Sequence, residues 1–430
     1  MKRPRSTKLT RSESGQVLVI VSLIIVTLLA CTALASDVGY FRSLRRQMQT
    51  AADSAAIAGA REVFSANSGD MSTAAQADAT TNGFTNGVNS VTVTINNPPK
   101  DSSYSNINGN DHDVEVIVSK PQPTYFMRAL GISTVNIAAR AVAGPINSPY
   151  CVYLLSPNAS PSLQLAGFGV IQASCGLVVD SSSGSAIQDI LISVNDTSTG
   201  VVGGISEFFP LFNPTPTTGI APIGDPLVTL AQPPVGGGCS QTNFQLTGGN
   251  VSTIGPGTYC GGIQVHGASA LTLSTGTYVL NGGGMTVDGL SFITGNGVTI
   301  FNTGNAAAYN AVTNKKGYAP INMTGFQGVN LVAPTSGNYQ GILMMADRTL
   351  SFPNGDARNQ NTLNGVTLGR YEGTLYFPTT NLAWNGVTGA AYTLIVANQL
   401  AFNFLAFVTI GNDFSSLANG SPIKSIGTLE

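Results

Sequence analysis

Few side chains in this 430-residue sequence could do chemistry, and beyond the N-terminal third the charged ones concentrate in one stretch. Asp347-Arg348 is followed by Asp356 and Arg358, and then by Arg370 and Glu372. Clustered carboxylates beside a basic residue are what polysaccharide lyases and hydrolases need, since the acids move protons and the cation stabilises charge on the substrate. Solvated loops use the same residue types, so no catalytic residue is assigned. Asp111-His112-Asp113 raises a metal site, but consecutive strand residues point to opposite faces and the other histidine, His266, lies far along the chain. The triplet reads as a solvated turn leading into Val114, and neither a metal nor a cofactor is expected. Tyr371, Tyr376 and Trp384 would serve a glycan-binding adhesin if exposed and a core if not.

The remaining reactive side chains are cysteines. Cys151 and Cys175 are 24 apart and Cys239 and Cys260 are 21 apart, while Cys31 falls inside an apolar run. What those spacings mean depends on the elements that carry them. From Pro149 onward, short β-branched runs alternate with Gly, Asn and Ser at intervals of roughly twenty residues, close to the period of stacked coils. Gly261-Gly262-Ile263-Gln264-Val265-His266-Gly267 recurs as Gly283-Gly284-Met285-Thr286-Val287-Asp288-Gly289, offset by 22, and Gly257-Thr258-Tyr259 recurs at Gly276, offset by 19. Strands of three or four residues with glycine corners at such a period predict a right-handed parallel β-helix-like solenoid. A β-sandwich is the competing fold, but its strands run longer and repeat no glycine-framed motif at one offset. In a solenoid each cysteine pair spans about one coil, and coils about 4.8 Å apart suit a disulfide, so bridges Cys151 to Cys175 and Cys239 to Cys260 are predicted, with Cys31 free. His266 shares its repeat position with Asp288 and should face outward. Seven prolines between Pro210 and Pro234 argue against strands there and mark an excursion from the coils.

Basic residues are unevenly placed. Lys2, Arg3, Arg5, Lys8 and Arg11 precede the apolar run, and Ala141 to Asn314 holds none. So long a stretch without Lys or Arg cannot neutralise phosphates, which excludes a nucleic-acid partner. Val17 to Ala35 contains no charge. As a helix it rises about 28 Å, near the thickness of a bilayer core. Ala33-Leu34-Ala35 resembles a signal-peptidase site, but the run exceeds a signal's apolar core and the helical pattern continues past it, so a retained anchor is expected. Five basic residues before the span against Arg42, Arg45 and Arg46 after it favour a cytoplasmic N-terminus. Leu34, Val38, Phe41, Leu44, Met48, Ala51, Ala55 and Ala58 then form a stripe that thins to alanine, suited either to packing within the chain or to a partner helix. Beyond it come a polar helix near Met71 to Thr80, strands at Val91 to Ile95, Val114 to Val118 and Thr134 to Val142, and a short capped helix within Pro123 to Ile132.

Gly15-Gln16 before the apolar run, then Asp37-Val38-Gly39, then Gln49-Thr50-Ala51-Ala52-Asp53-Ser54-Ala55-Ala56 resemble the N-terminal segment of TadG-like proteins of the tight-adherence (Flp) pilus assembly system. The resemblance covers roughly Gly15 to Ala60. It implies an anchored accessory subunit of a pilus or secretion apparatus, with a pseudopilin-like helix and no catalysis. Position five after Gly15 is Ile20, where prepilin-type signals carry Glu, so the resemblance does not extend to cleavage at Gly15.

The expected organisation is a basic cytoplasmic arm at 1–16, a transmembrane helix at 17–36 and an extended helix at 37–68. A small α/β pilin-like stalk follows at 69–146, then a β-solenoid at 147–430 with its proline-rich excursion at 205–238. The chain should be a single-pass protein of the bacterial cytoplasmic membrane, with its bulk periplasmic or extracellular. Its partners would be that membrane and other pilus or pseudopilin-like subunits, and its role that of a scaffold. The alternatives are a β-helix polysaccharide-active enzyme and an adhesin that binds a cell-envelope glycan.

Overall fold

The computed structural model describes residues 14–64, 70–100, 112–236, 238–304, 317–324, 328–353 and 355–429. The protein is mainly β with one long apolar N-terminal helix, and it divides into two units, residues 1–146 with 425–430, and residues 147–424.

The first unit is organised by α1, Ser14–Phe64, a 51-residue helix. Its apolar positions change role along its length. Val17 to Leu29 lie bare on every face, whereas Met48, Ala51, Ala52, Ala55, Ala56 and Ala60 are buried. The alanines let α2, Met71–Thr81, approach through its own Ala75 and Ala79. Gly59 serves the same end, since a Cβ there would stand 3.1 Å from Val114 Cγ1 and 3.4 Å from Met71. The sheet beneath runs in the order β1 (Thr92–Asn96), β2 (Val114–Pro123), β3 (Thr134–Asn147) and the C-terminal strand Lys424–Thr428. β1, β2 and β3 pair antiparallel, and Val114, Val116 and Val118 point into the core. β2 continues beyond Val118 through Pro121 and Pro123, which β1 does not reach; the missing N–H groups fall on an open edge. Between β2 and β3, Met127–Leu130 forms a 3₁₀ turn closed by left-handed Gly131.

In the second unit the described strand pairings are all parallel and sort into three ladders. Along the chain each turn visits them in one order. Gly257–Cys260 lies on the first, Ile263–Val265 on the second and Ala270–Leu273 on the third, before Gly276–Asn281 returns to the first. Alternate side chains enter a continuous interior of Leu, Ile, Val, Tyr and Phe. The second-ladder register matches the repeat, with Ile263 opposite Met285 and Val265 opposite Val287. On the first ladder Gly257 pairs with Tyr278, an offset of 21 rather than the 19 of the Gly-Thr-Tyr repeat. A shift of two keeps every side chain on its own face, and the Tyr259 and Tyr278 rings stack 5.8 Å apart.

The ladders do not follow chain order throughout. Thr393–Ala397 pairs with Tyr150–Leu154, and Leu400–Ile410 pairs with Leu163–Ala173 along eleven positions. The turns from 150 to 218 therefore continue the stack that starts at Gln241 and reaches Ile410. The proline-rich stretch keeps three short strands, Ile205–Glu207, Phe212–Asn213 and Thr217–Thr218, before it leaves the ladders. Residues 219–236, with a turn at 226–230, and residues 238–240 then lead back from the end of the stack to its beginning as a strap.

Candidate functional site: the apolar helix, its ties and the strap

α1 is the one helix among the described residues long and apolar enough to cross a membrane, and none of the described residues covers its apolar part. Where that part ends, Asp37 is buried and accepts hydrogen bonds from the N–H groups of Tyr125 (3.3 Å), Phe126 (2.8 Å) and Met127 (2.8 Å). Burial opposes its ionisation, but the three donors more than offset this and hold the carboxyl below its ordinary value. Three turns on, Gln49 donates 2.8 Å bonds to Asp53 and to the carbonyl of Arg140 on β3, and Ser54 donates to Asp78 on α2 at 2.6 Å. Arg140 in turn pairs with buried Glu115 of β2, which also accepts from Asn96 at 2.6 Å. Burial works against the charge of Glu115; these donors outweigh it and lower the pKa. The polar side chains of α1 thus tie it to three other elements, the 3₁₀ turn, β3 and α2, while its alanines supply close contact.

The charged stretch of the second unit is taken up by local ties. Asp356 caps the turn Ala357–Asn359 and pairs with Arg358 at 2.6 Å, whose hydrogen bonds hold the carboxyl at about 2. Arg370 pairs with Glu372 at 2.7 Å. Asp347 accepts from Thr303 (2.6 Å), Thr349 (2.7 Å) and Gln232 (3.0 Å), and the Arg348 guanidinium donates to the carbonyls of Leu227, Val228 and Leu230. Those last bonds belong to the strap. Its course along the first ladder is pinned in sequence: Asp180 accepts from the N–H groups of Ile223 and Gly224 (3.0 and 2.8 Å), the Tyr376 hydroxyl donates to Asp225 (2.7 Å), Arg348 and Asp347 follow, and Cys239 joins Cys260. Burial and then Asp225 push the Tyr376 hydroxyl up, so it remains a donor. Cys151 joins Cys175 on the same ladder, and Cys31 is free on the exposed apolar part of α1.

The aromatics considered for glycan stacking are not on the surface. Tyr371, Tyr376 and Trp384 are each 1% exposed or less; Tyr371 meets Trp384 edge-on at 5.9 Å and Trp384 stacks on Phe402 at 6.3 Å. Large inward residues at neighbouring turns fill the interior, and that demand explains them. His266 and Asp288 occupy equivalent half-exposed positions and bond to each other at 2.8 Å. Asp111 lies outside the described residues, and Asp113 is buried, which raises its pKa. Among the described residues no three His, Cys, Asp or Glu side chains are gathered for a metal. A recess of about 510 Å³ on the second ladder is lined by Asn158, Gln164, Gln360, Asn381 and Gln399, with no charged side chain among the described residues.

The polar ties of α1 coincide with the matched region. The family model described as Flp pilus-assembly TadE/G-like matches residues 15–62, and the one described as Tad-like Flp pilus-assembly matches residues 43–143. Over residues 15–143 the chain is TadG-like. No curated protein and no solved structure matches it. The TadG-like segment contains Asp37, Gln49, Ser54, Asp78, Glu115 and Arg140, so each tie within the first unit joins two matched positions. The helix stripe is legible from periodicity, whereas the role of Asp37 is not, because its partners lie about ninety residues away. The strap contacts of Asp180, Asp225 and Arg348 carried no sequence signal beyond the prolines themselves.

Proposed function

We propose that this chain is an extracytoplasmic accessory subunit of a tight-adherence (Flp-type) pilus or related secretion apparatus, held in the bacterial cytoplasmic membrane by residues 17–36 and acting as a scaffold. The observation that carries the reading is the coincidence of an uncovered apolar span with Flp pilus-assembly matches across residues 15–143. Five basic residues before the span and three shortly after it favour a cytoplasmic N-terminus, which would leave residues 37–430 periplasmic or extracellular. Residues 69–146, with the C-terminal strand that closes their sheet, would then be a pilin-like stalk and residues 147–424 a right-handed β-helix-like solenoid, as parallel pairing at a period of about twenty residues supports. A non-catalytic role fits the charged stretch, whose members are engaged in ion pairs, a turn cap and the strap rather than converging on a cleft.

Contact with a neutral envelope glycan is the second reading. It rests on the amide-lined recess, whose side chains could hydrogen-bond sugar hydroxyls without any acid or base. The test of the main reading is genetic. Deleting the gene should abolish or sharply reduce surface pili, and the full chain should restore them. A chain exported without residues 17–36 should not, and pili unaffected by the deletion would refute the assembly role.

A further inference from the structure

Beside the end of the apolar span the first unit leaves a contiguous set of large apolar side chains uncovered. Tyr125 is 67% exposed, Phe126 52%, Leu130 74% and Ile132 42%, and Tyr40 on α1 is 44% exposed. The first four belong to the 3₁₀ turn and its flanks, and this segment cannot drift from the helix, because Asp37 binds the backbone N–H groups of Tyr125, Phe126 and Met127. Tyr40 and Tyr125 meet edge-on at 6.1 Å across the same junction. Asp37 lies two residues past Ala35, so it sits only about 3 Å beyond the end of the span along the helix axis.

We infer that residues 124–132, with Tyr40, form a second membrane contact that seats in the outer interface of the bilayer and orients the first unit upon it. The occupant is a lipid surface, because the patch is fixed at the level where a helix crossing the bilayer leaves it. Tyr and Phe at that depth place apolar rings among acyl chains, and the tyrosine hydroxyls reach the headgroups. Arg128 on the turn and Arg42, Arg45 and Arg46 on the next turns of α1 are exposed and basic, which suits anionic headgroups just above the apolar ring. A scattered exposed leucine needs no explanation, but five large side chains joined at one end of a bare span do. Asp37 acts here as a positioning residue.

This inference rests on the anchor reading, and the experiment separates the two. The full chain is reconstituted into vesicles of phosphatidylcholine and phosphatidylglycerol, carrying a nitroxide at native Cys31, or at Leu130→Cys or Val88→Cys in a Cys31→Ser background. Accessibility to oxygen and to a water-soluble nickel chelate is measured for each. The Cys31 label should be open to oxygen and closed to nickel, the Val88 label the reverse. The Leu130 label should follow Cys31, losing nickel accessibility relative to Val88, and Asp37→Ala should return it toward the Val88 value. A Cys31 label open to nickel would refute the anchor itself. With Cys31 in lipid, a Leu130 label as open to nickel as Val88, or closed to both reagents as in a protein contact, would overturn the interfacial seat alone.

Discussion

The two units are held together by opposite means. In the first, a long helix is fixed to a small antiparallel sheet by a few specific polar ties and an alanine face, so each tie is made once. In the second, the same parallel pairing recurs turn after turn around an apolar interior, and the singular contacts gather on the strap. The difference teaches where each unit is vulnerable. A repeated ladder spreads its stability over many equivalent contacts, except at corners too tight for a side chain and at the strap that links its two ends.

The largest effect is expected at a corner. Gly283 has φ +72°, and a Cβ there would lie 2.2 Å from the carbonyl oxygen of Gly261 in the adjacent turn. Gly283→Ala should cost on the order of 4 kcal/mol or more, by left-handed strain and backbone overlap together. Chemical denaturation of the region after residue 36 measures it, and a loss below 1 kcal/mol would mean the turns are less closely stacked than described.

Next comes the strap. Replacing Cys239 and Cys260 by Ser should cost roughly 2–4 kcal/mol, and Arg348→Ala, which removes the donor to three strap carbonyls, should act in the same direction. Limited proteolysis should then cut within residues 219–238 well before the ladders. Cuts spread evenly through the second unit would contradict a strap that loosens independently.

A third test uses pH. Asp189 is buried opposite Glu207 on the adjacent strand, and burial first, with that neighbouring charge adding to it, pushes its pKa up to about 6. The unfolded chain releases this proton near pH 4, so the folded state binds it more tightly and stability should fall as pH rises from about 4 to about 6. Asp189→Asn should remove that slope and stabilise the protein at pH 7 by about 1–2 kcal/mol. Thermal melts of both forms between pH 4 and pH 8 read the difference; parallel curves would sink the assignment. The smallest effect belongs to the first unit, where Gln49→Ala should cost about 1 kcal/mol through the bond to the Arg140 carbonyl.

The same contrast governs what could be read before the structure. The apolar run is continuous, and the helix stripe and the 22-residue repeat at Gly261 and Gly283 are periodic, so local pattern reveals all three. Cys239 and Cys260 sit at one-turn spacing for the same reason. The pairing of Leu400–Ile410 with Leu163–Ala173 has no local mark, because any exposed parallel edge in this unit offers the same backbone groups to a partner. The closing of the first unit's sheet by Lys424–Thr428 is equally hidden, at nearly three hundred residues from β3. Phe212–Asn213 and Thr217–Thr218 are two-residue strands among prolines, too short to outweigh composition. At the candidate site, the residue types of Asp347, Arg348 and Asp356 suit solvated loops as well as chemistry, and only the structure shows Asp347 and Arg348 tied to the strap and Asp356 held by Arg358 of its own turn.

The central claim, that the chain assembles pili by shape and not by turnover, is tested most directly in the deletion strain complemented with Asp356→Ala combined with Glu372→Ala. Both carboxylates sit in ion pairs with Arg358 and Arg370, and the scaffold account assigns them no reaction. Surface pili counted by electron microscopy should match those restored by the unaltered chain at equal protein levels. Loss of pili in the double variant, with the protein folded and present at that level, would contradict the account.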